Sequence, residues 1–153
     1  MRGKKTILLI CSGNTCRSPM AKVILEHKLI DLAKSEQFTV ISAARYSPTN
    51  SETSLNARET IKILYKQDLL ATHKSKSLTP ELTEKADLIL VMTDVMKNGL
   101  PPNKTYSVKE YGGQAYDVMD PFGGDLKRYL ECADELSSSL NNVVAWLLIT
   151  DSQ

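Results

Sequence analysis

Short apolar runs alternate along the chain with longer amphipathic segments. The first run, residues 5–10, combines β-branched and aliphatic residues between polar flanks, which predicts a strand buried on both faces. Further apolar runs predict strands at 38–43, 87–92 and 104–108. These runs are spaced far enough apart for a helix to connect each strand to the next.

The segments between the strands, and the one after the last strand, have helical patterns. Ser18 followed by Pro19 predicts an N-cap and a helix that runs to about residue 33. From residue 125 onward, apolar residues recur every three or four positions, which predicts a long amphipathic C-terminal helix. Further helices are predicted at 54–66, in a short segment after Thr79–Pro80, and at 93–98.

Strands that alternate with helices predict an α/β fold, a doubly wound parallel sheet with helices on both faces. In such a sheet, ligands bind beyond the carboxyl ends of the strands. The loop at 11–18 follows the first strand directly. It is therefore the first place to look for a binding site.

Composition limits the number of domains and the kinds of partner. The chain has 153 residues, 42% of them hydrophobic, which predicts a single domain over residues 1–153. Its net charge of +1 comes from 19 basic and 18 acidic residues, so no overall field attracts nucleic acid or an anionic membrane. Any anion that the protein binds must be held by local geometry.

The start of the chain and its cysteines predict a cytoplasmic protein. The apolar run Ile7–Cys11 is too short for a signal peptide or a membrane span. Three cysteines, an odd number, fit a reducing compartment better than a disulfide framework. A zinc site is not favoured, since Cys11 and Cys16 have no second pair and His27 and His73 are isolated.

The segment Cys11–Ser18 has the features of an anion-binding loop. Backbone N–H groups of a tight loop converge on one point, and the N-terminus of the following helix adds unpaired donors and a positive dipole end. These donors and the charge of Arg17 favour a thiolate at Cys11, which makes it a nucleophile. Gly13 is expected to supply a positive φ angle, and Asn14 a hydrogen bond that braces the loop.

Arg17 adds two parallel N–H donors that suit the oxygens of a phosphoryl group. A phosphoryl transfer also needs an acid for the leaving group. Asp120 lies in a loop with a proline and two glycines just ahead of the last helix, and it is the candidate acid and, later, the base that activates water. On its own, Asp-Pro is also an ordinary turn, so this role depends on the loop at Cys11.

With these motifs, the chain resembles the low-molecular-weight protein tyrosine phosphatases, whose loop reads C-x5-R-S after the first strand and whose acid lies in a D-P-[YF] loop. The segments Cys11–Ser18 and Asp120–Phe122 match these motifs, and Ala86–Thr93 and Lys109–Tyr111 extend the resemblance over nearly the whole chain. The resemblance implies a four-stranded parallel sheet in the order 2-1-3-4, and neither a metal nor another cofactor.

The resemblance also implies roles for individual residues. Cys11 is the implied nucleophile, Arg17 the phosphate clamp and Asp120 the general acid. Ser18 is implied to donate its hydroxyl to the thiolate, and Asn14 to brace the loop. Together with those two, the residues expected to bind substrate are Ser12, Gly13, Thr15, Cys16, Tyr46 and Phe122.

Within the family, the chain resembles the bacterial protein arginine phosphatases most. Thr15 stands where tyrosine-specific members usually have isoleucine, and glycines follow Phe122 where many of those members have a second aromatic residue. The threonine offers a hydroxyl and less bulk, which suits a polar guanidinium better than a phenyl ring, and Asp120 could pair with that guanidinium. Alternatively, Thr15 satisfies only the loop backbone.

The sequence departs from the family after the second predicted strand, where S-A-G is replaced by Ser42–Tyr46. Tyr46 either forms an aromatic wall of the substrate cleft or is an ordinary surface tyrosine. Arg45 either adds a positive charge near the mouth or is solvated.

The remaining cysteines leave two questions open. Cys16 shares a short loop with Cys11, so the two could form a protective disulfide on oxidation, or Cys16 could be a small packing residue. Cys132 is expected to pack on the C-terminal helix.

The prediction is a phosphoprotein phosphatase that acts on phosphoarginine, with phosphotyrosine as the alternative. A thiol-dependent arsenate reductase is a remote alternative, because residues 80–100 contain none of the further cysteines that it needs. A non-catalytic phosphate-binding module would be expected to lack the nucleophile or the acid. Phosphorylated proteins are the expected partners, without nucleic acid or membrane, and a monomer is expected.

Overall fold

A parallel sheet of four strands forms the centre of the computed structural model, which describes residues 3–46, 50–112 and 117–151. The strands lie in the order β2-β1-β3-β4. Their bounds are β1 (Lys5–Cys11), β2 (Phe38–Ala44), β3 (Leu88–Val91) and β4 (Thr105–Ser107). The predicted parallel sheet and its order are confirmed.

Helices flank the sheet at the predicted segments. They are α1 (Arg17–Asp31), α2 (Leu55–Tyr65), α3 (Pro80–Lys85) and α4 (Leu126–Asp151), with short 3₁₀ helices at Ser35–Gln37, Asp94–Lys97 and Val108–Gly112. Side-chain caps begin three of the helices. Ser54 accepts from the backbone N–H of Ala57, and Thr79 accepts from that of Leu82. At the start of α4, Asp125 accepts from the backbone N–H of Arg128 at 3.1 Å. The helix predicted at 93–98 is a single 3₁₀ turn.

The core lies on both sides of β1, which pairs with β2 on one edge and β3 on the other. Residues Ile7–Cys11 are all buried, so the prediction of a strand covered on both faces is confirmed. In register, Cys11 lies opposite Ala44, and Ile10 lies opposite Val91. The carboxyl ends of the three strands therefore meet at one edge of the sheet, where the site lies.

The start of α1 differs from the prediction. Ser18 is not the N-cap, because the helix begins at Arg17 after Cys16, which makes no side-chain capping bond. Ser18 lies inside the first turn and is fully buried, and its hydroxyl contacts the side chains of Cys11 and Asn14. The tertiary contact to Cys11 takes the hydroxyl that a local capping bond would otherwise use.

None of the helices in the described part of the chain combines the length and the apolar character needed to cross a membrane.

Candidate active site

A hollow of about 210 Å³ lies at the carboxyl end of β1 and the N-terminus of α1. It brings together most of the residues that the sequence singles out, and its lining is formed by Cys11, Ser12, Gly13, Thr15, Cys16, Arg17, Asp120 and Phe122. A larger groove of about 800 Å³ lies between α3 and residues 99–104, but it contains neither the cysteine nor the candidate acid. The chemistry is therefore expected in the smaller hollow.

Two hydrogen-bonding groups contact the sulfur of Cys11. The backbone N–H of Asn14 lies 3.2 Å from it, and the hydroxyl of Ser18 lies 3.0 Å from it. Ser18 already accepts a hydrogen bond from Nδ2 of Asn14 at 2.8 Å, so its own proton is free to point at the sulfur. Donors directed at a sulfur stabilise the negatively charged thiolate.

Asn14 is the central brace of this loop. It is completely buried, and its φ of 57° places it in the left-handed region. Its Oδ1 accepts from the backbone N–H of Lys76 at 3.0 Å, and its carbonyl accepts from Nε2 of His73 at 2.8 Å. The positive φ angle expected at Gly13 is thus found at Asn14, because asparagine tolerates this conformation when its side chain is hydrogen-bonded.

His73 was not predicted as part of the site, since a lone histidine in a polar stretch is usually exposed. It is half-buried, and burial lowers its pKa, partly opposed by the hydrogen bond to the carbonyl of Asn14. Because that carbonyl can only accept, Nε2 must carry a proton. The ring is therefore a neutral donor that fixes the backbone of the loop.

Arg17 is buried beneath the hollow, with 3% of its surface exposed. Its Nη1 donates to the carbonyl of Val118 at 2.8 Å, and its Nη2 donates to Oγ of Ser12 at 3.0 Å. Nη2 also lies 3.5 Å from Oδ2 of Asp120. Its Nε has no partner within the described residues, so this guanidinium is held in place and keeps one donor unused.

Asp120 is presented by a tight turn. Its Oδ1 accepts from the backbone N–H of Phe122 at 3.1 Å, and the carbonyl of Pro121 accepts from the N–H of Gly124 at 2.8 Å. Gly123 has a φ of 82°, a conformation that favours glycine. The Asp120 side chain is 48% exposed, so its carboxylate lies at the mouth of the hollow, where a leaving group would exit.

Two predicted substrate-binding aromatics lie in different places. Phe122 lines the hollow and is 75% exposed. Tyr46 is also exposed and is not among the residues that line the hollow; the Arg45 guanidinium lies 5.7 Å from its ring centroid. Arg45 does not line the hollow either, and its Nη2 donates to the carbonyl of Asn98 at 2.6 Å. A substrate role for Tyr46 stays a prediction.

The N-cap residue of α2 and a residue of α4 also contact the Cys11 loop, and sequence reasoning did not find them. The backbone N–H of Ser54 donates to the carbonyl of Thr15 at 3.0 Å. The Tyr129 hydroxyl lies 3.5 Å from the Cys16 sulfur. Burial, followed by the hydrogen bond to Cys16, raises the pKa of Tyr129 to about 12, so this phenol stays neutral.

All three cysteines are buried free thiols. Cys132 lies on α4, and its sulfur is 3.8 Å from the carbonyl of Met119. Burial, reinforced by the charge of Glu135, raises the pKa of Cys132 to about 12, so it stays a thiol at neutral pH.

Among residues 3–46, 50–112 and 117–151, no cluster of three or more His, Cys, Asp or Glu side chains could hold a metal ion.

Residues 6–150 match the protein-family model described as Low molecular weight phosphotyrosine protein phosphatase. Among curated proteins, the protein-arginine-phosphatase of Bacillus subtilis (strain 168) is 35% identical over 148 residues. That alignment covers 92% of this chain and 95% of the relative.

Solved structures share the fold. A low molecular weight protein tyrosine phosphatase from T. tengcongensis has a TM-score of 0.86 at 35% identity, covering 94% of this chain and 100% of that one. A mutant of the YwlE arginine phosphatase with a phosphorylated active-site serine has a TM-score of 0.83 at 34% identity. That match covers 93% of this chain and 95% of the mutant.

Proposed function

The chain belongs to the low molecular weight phosphotyrosine protein phosphatase family, and on this premise we propose that it hydrolyses phosphorylated side chains of proteins through a phosphocysteine on Cys11. The observation that carries the proposal is the pair of contacts on the Cys11 sulfur, from the N–H of Asn14 at 3.2 Å and the hydroxyl of Ser18 at 3.0 Å. The sulfur lies beside a hollow that Arg17 also lines. A nucleophilic sulfur and an anion site share one loop.

In the first step, the oxygens of the phosphoryl group bind to the loop N–H groups and to Arg17, whose Nε is unpaired in the described structure. The Cys11 thiolate attacks phosphorus and forms an S–P bond, while the bond to the leaving group breaks. Asp120 at the mouth protonates the leaving atom. The phosphorylated active-site serine in the YwlE mutant supports a covalent intermediate at this position.

In the second step, water attacks the phosphorus and Asp120 accepts its proton. The S–P bond breaks, inorganic phosphate leaves, and the Cys11 thiolate is restored. Ser18 and the backbone of Asn14 stabilise that thiolate as the leaving group, through the two contacts already described. The cycle needs neither a metal nor another cofactor.

We propose phosphoarginine as the preferred substrate. Thr15 lines the hollow, where its hydroxyl and small size leave room for a planar polar group. Once Asp120 has given its proton to the leaving nitrogen, its carboxylate at the mouth pairs with the departing guanidinium. The name of the Bacillus subtilis relative, protein-arginine-phosphatase, supports the same substrate.

Phosphotyrosine is the second candidate, and one observation favours it. The exposed ring of Phe122 on the lining of the hollow could stack against a phenyl group. The structure from T. tengcongensis is also named a protein tyrosine phosphatase.

Kinetics on matched peptides can decide between the two substrates. kcat/KM is measured on phosphoarginine and phosphotyrosine peptides for the wild type, Thr15→Ile and Thr15→Val. We expect the wild type to favour phosphoarginine and Thr15→Ile to shift the ratio toward phosphotyrosine. Thr15→Val removes the hydroxyl at nearly constant volume, so it separates polarity from bulk. A wild type that prefers phosphotyrosine, with the ratio unchanged in Thr15→Ile, would contradict the arginine assignment.

The general mechanism has its own test. Cys11→Ser should bind phosphopeptide without turnover, and Asp120→Asn should slow substrates with poor leaving groups most. Full activity in either variant would contradict the assigned role.

The proposal includes the organisation and location of the protein. Residues 1–153 form one phosphatase domain, a view supported by the family match over residues 6–150. Cytoplasmic location is supported by the three unpaired cysteines. The enzyme acts as a monomer on phosphorylated proteins. Gel filtration of the purified chain tests the monomer directly.

A further inference from the structure

The first turn of α2 contacts both loops that build the hollow. The backbone N–H of Ser54 donates to the carbonyl of Thr15 at 3.0 Å, and the Ser54 hydroxyl accepts from the Cys16 thiol at 3.4 Å. Two residues further on, Nδ2 of Asn56 donates to the carbonyl of Gly124 at 3.2 Å. The N-cap and first turn of α2 therefore link the Cys11 loop to the Asp120 loop.

Hydrogen bonds within the turn connect Gly124 to Asp120. The N–H of Gly124 donates to the carbonyl of Pro121 at 2.8 Å, and the N–H of Phe122 donates to Oδ1 of Asp120 at 3.1 Å. A Cβ added at Gly124 would lie 2.9 Å from the oxygen of Pro121, so the turn is closely packed. Residues 120–124 consequently move together, and a shift of Gly124 shifts the carboxylate.

Asp120 is held at the two ends of its loop more than by its own side chain. Its closest cation in the described structure, Nη2 of Arg17, is 3.5 Å away, and the carboxylate is 48% exposed. Upstream, Val118 accepts from Arg17 at 2.8 Å and donates to the carbonyl of Met92 at 2.9 Å. Downstream, the hydrogen bond from Asn56 to the carbonyl of Gly124 holds the other end of the loop.

We propose that Asn56 is a positioning residue that holds Asp120 at proton-transfer distance from the leaving group. This inference rests on the proposed function, since it assumes that Asp120 is the general acid. Asn56 is not among the residues that line the hollow, so it acts through Gly124 and not on substrate. Displacing an acid by about 1 Å can lower a rate by up to about a hundredfold.

The test uses substrates that differ in their need for an acid. Asn56→Leu keeps the branched shape of the side chain, at somewhat greater volume, and removes the amide donor. We expect kcat/KM to fall about tenfold on phenyl phosphate, a poor leaving group, and less than about twofold on p-nitrophenyl phosphate. Competitive inhibition by inorganic phosphate should stay unchanged, because the Cys11 loop is intact. An equal fall on both substrates, or no fall on either, would overturn the proposal.

Thr60→Val is the matched control on the same helix. The Thr60 hydroxyl donates to the carbonyl of Asn56 at 2.7 Å, so this substitution perturbs the same turn of α2 and keeps the contact from Asn56 to Gly124. It should lower the two kcat/KM values equally or leave both unchanged. A selective loss on phenyl phosphate in Thr60→Val would assign the effect to general helix damage. Asn56→Ala, which suits a helix, serves as the second variant without the donor.

A double-mutant cycle shows whether Asn56 acts through Asp120. In an Asp120→Asn background the acid is already lost, so adding Asn56→Leu should lower kcat/KM on phenyl phosphate by less than about twofold. Additive losses would overturn the positioning role and leave the phosphatase function standing. By contrast, a wild type that turns over none of phenyl phosphate, p-nitrophenyl phosphate and a phosphoarginine peptide would overturn both proposals.

Discussion

The hydroxyl of Ser18 lies 3.0 Å from the sulfur of Cys11, and both side chains are buried. The two residues stand on either side of the loop, one in the first turn of α1 and the other at the end of β1. Asn14 donates to the same hydroxyl, and a thiolate can only accept, so the Ser18 hydroxyl is the donor whenever Cys11 is ionised. In the proposed mechanism, this geometry would stabilise a negative sulfur both before attack and when the phosphocysteine breaks down.

Removing that hydroxyl should slow both chemical steps. We expect Ser18→Ala to lower kcat by about tenfold, because one donor to an ionised group is lost in a water-poor site. The serine also accepts from Asn14, so the loop will be slightly less stable. Steady-state kinetics on p-nitrophenyl phosphate measures the effect.

Ser139→Ala supplies the control for Ser18→Ala. Ser139 is another buried serine, on α4, and it has no place in the proposed mechanism. This variant should keep wild-type kcat. Unchanged kcat in Ser18→Ala would show that the sulfur does not depend on this hydroxyl.

Hydrogen bonds from two guanidinium nitrogens hold Arg17 in place. Nη1 bonds to Val118 and Nη2 to Ser12, a fork that lysine cannot reproduce although it keeps the charge. Arg17→Lys should therefore lower kcat/KM by about a hundredfold or more and weaken inhibition by inorganic phosphate. Inhibition constants and kcat/KM are measured on one substrate.

The chain offers a matched arginine for comparison. Arg58 on α2 also forms two hydrogen bonds, to the Asp68 carboxylate at 2.8 and 2.6 Å, and both partners are exposed. Arg58→Lys should leave kcat/KM and phosphate inhibition unchanged, since surface ion pairs contribute little. If Arg17→Lys were equally harmless, charge alone would suffice and the forked geometry would be irrelevant.

The local pattern of the sequence predicted the sheet, the main helices and the loop that holds Cys11. It could do so because strand burial, helix capping and apolar periodicity are properties of neighbouring residues. The same local reasoning misassigned the Ser18 hydroxyl to a helix cap. A tertiary contact with Cys11, seven residues away, takes that hydroxyl instead.

Contacts between distant segments could not be predicted in this way. Arg17 bonds to a carbonyl 101 residues later, and His73 bonds to a carbonyl 59 residues earlier. The partner in each case is a backbone oxygen, which every residue carries, so the sequence contains no signal for it. The same holds for Asn56 and Gly124, 68 residues apart.

His73 should make stability depend on pH. Burial lowers its pKa below the usual 6.5, so the unfolded chain binds a proton more readily than the folded chain. The free energy of unfolding should therefore fall as pH drops below about 6.5, until the folded ring also titrates, and be unaffected by this group above about pH 7. Denaturant unfolding at several pH values measures this.

His73→Gln tests the assignment, because its side-chain amide can still donate to the carbonyl of Asn14 and does not titrate. The pH dependence between about 7 and 5 should become shallower in this variant, with activity at neutral pH largely kept. If the free energy of unfolding depended on pH equally in the wild type and in His73→Gln, other groups would cause that dependence.

Oxidation should distinguish the three thiols. Peroxide should oxidise the Cys11 sulfur to a sulfenic acid, and attack by the neighbouring Cys16 thiol should then form a disulfide with loss of water. Cys132, whose pKa burial raises to about 12, should react slowly. Mass spectrometry after mild peroxide should show a Cys11–Cys16 bond, and added thiol should restore activity. In Cys16→Ser, Cys11 should overoxidise irreversibly, whereas Cys132→Ser should behave like wild type. Sulfonic acid at Cys11 of the wild type, without the bond, would show that Cys16 is only a packing residue against Tyr129 and Ser54.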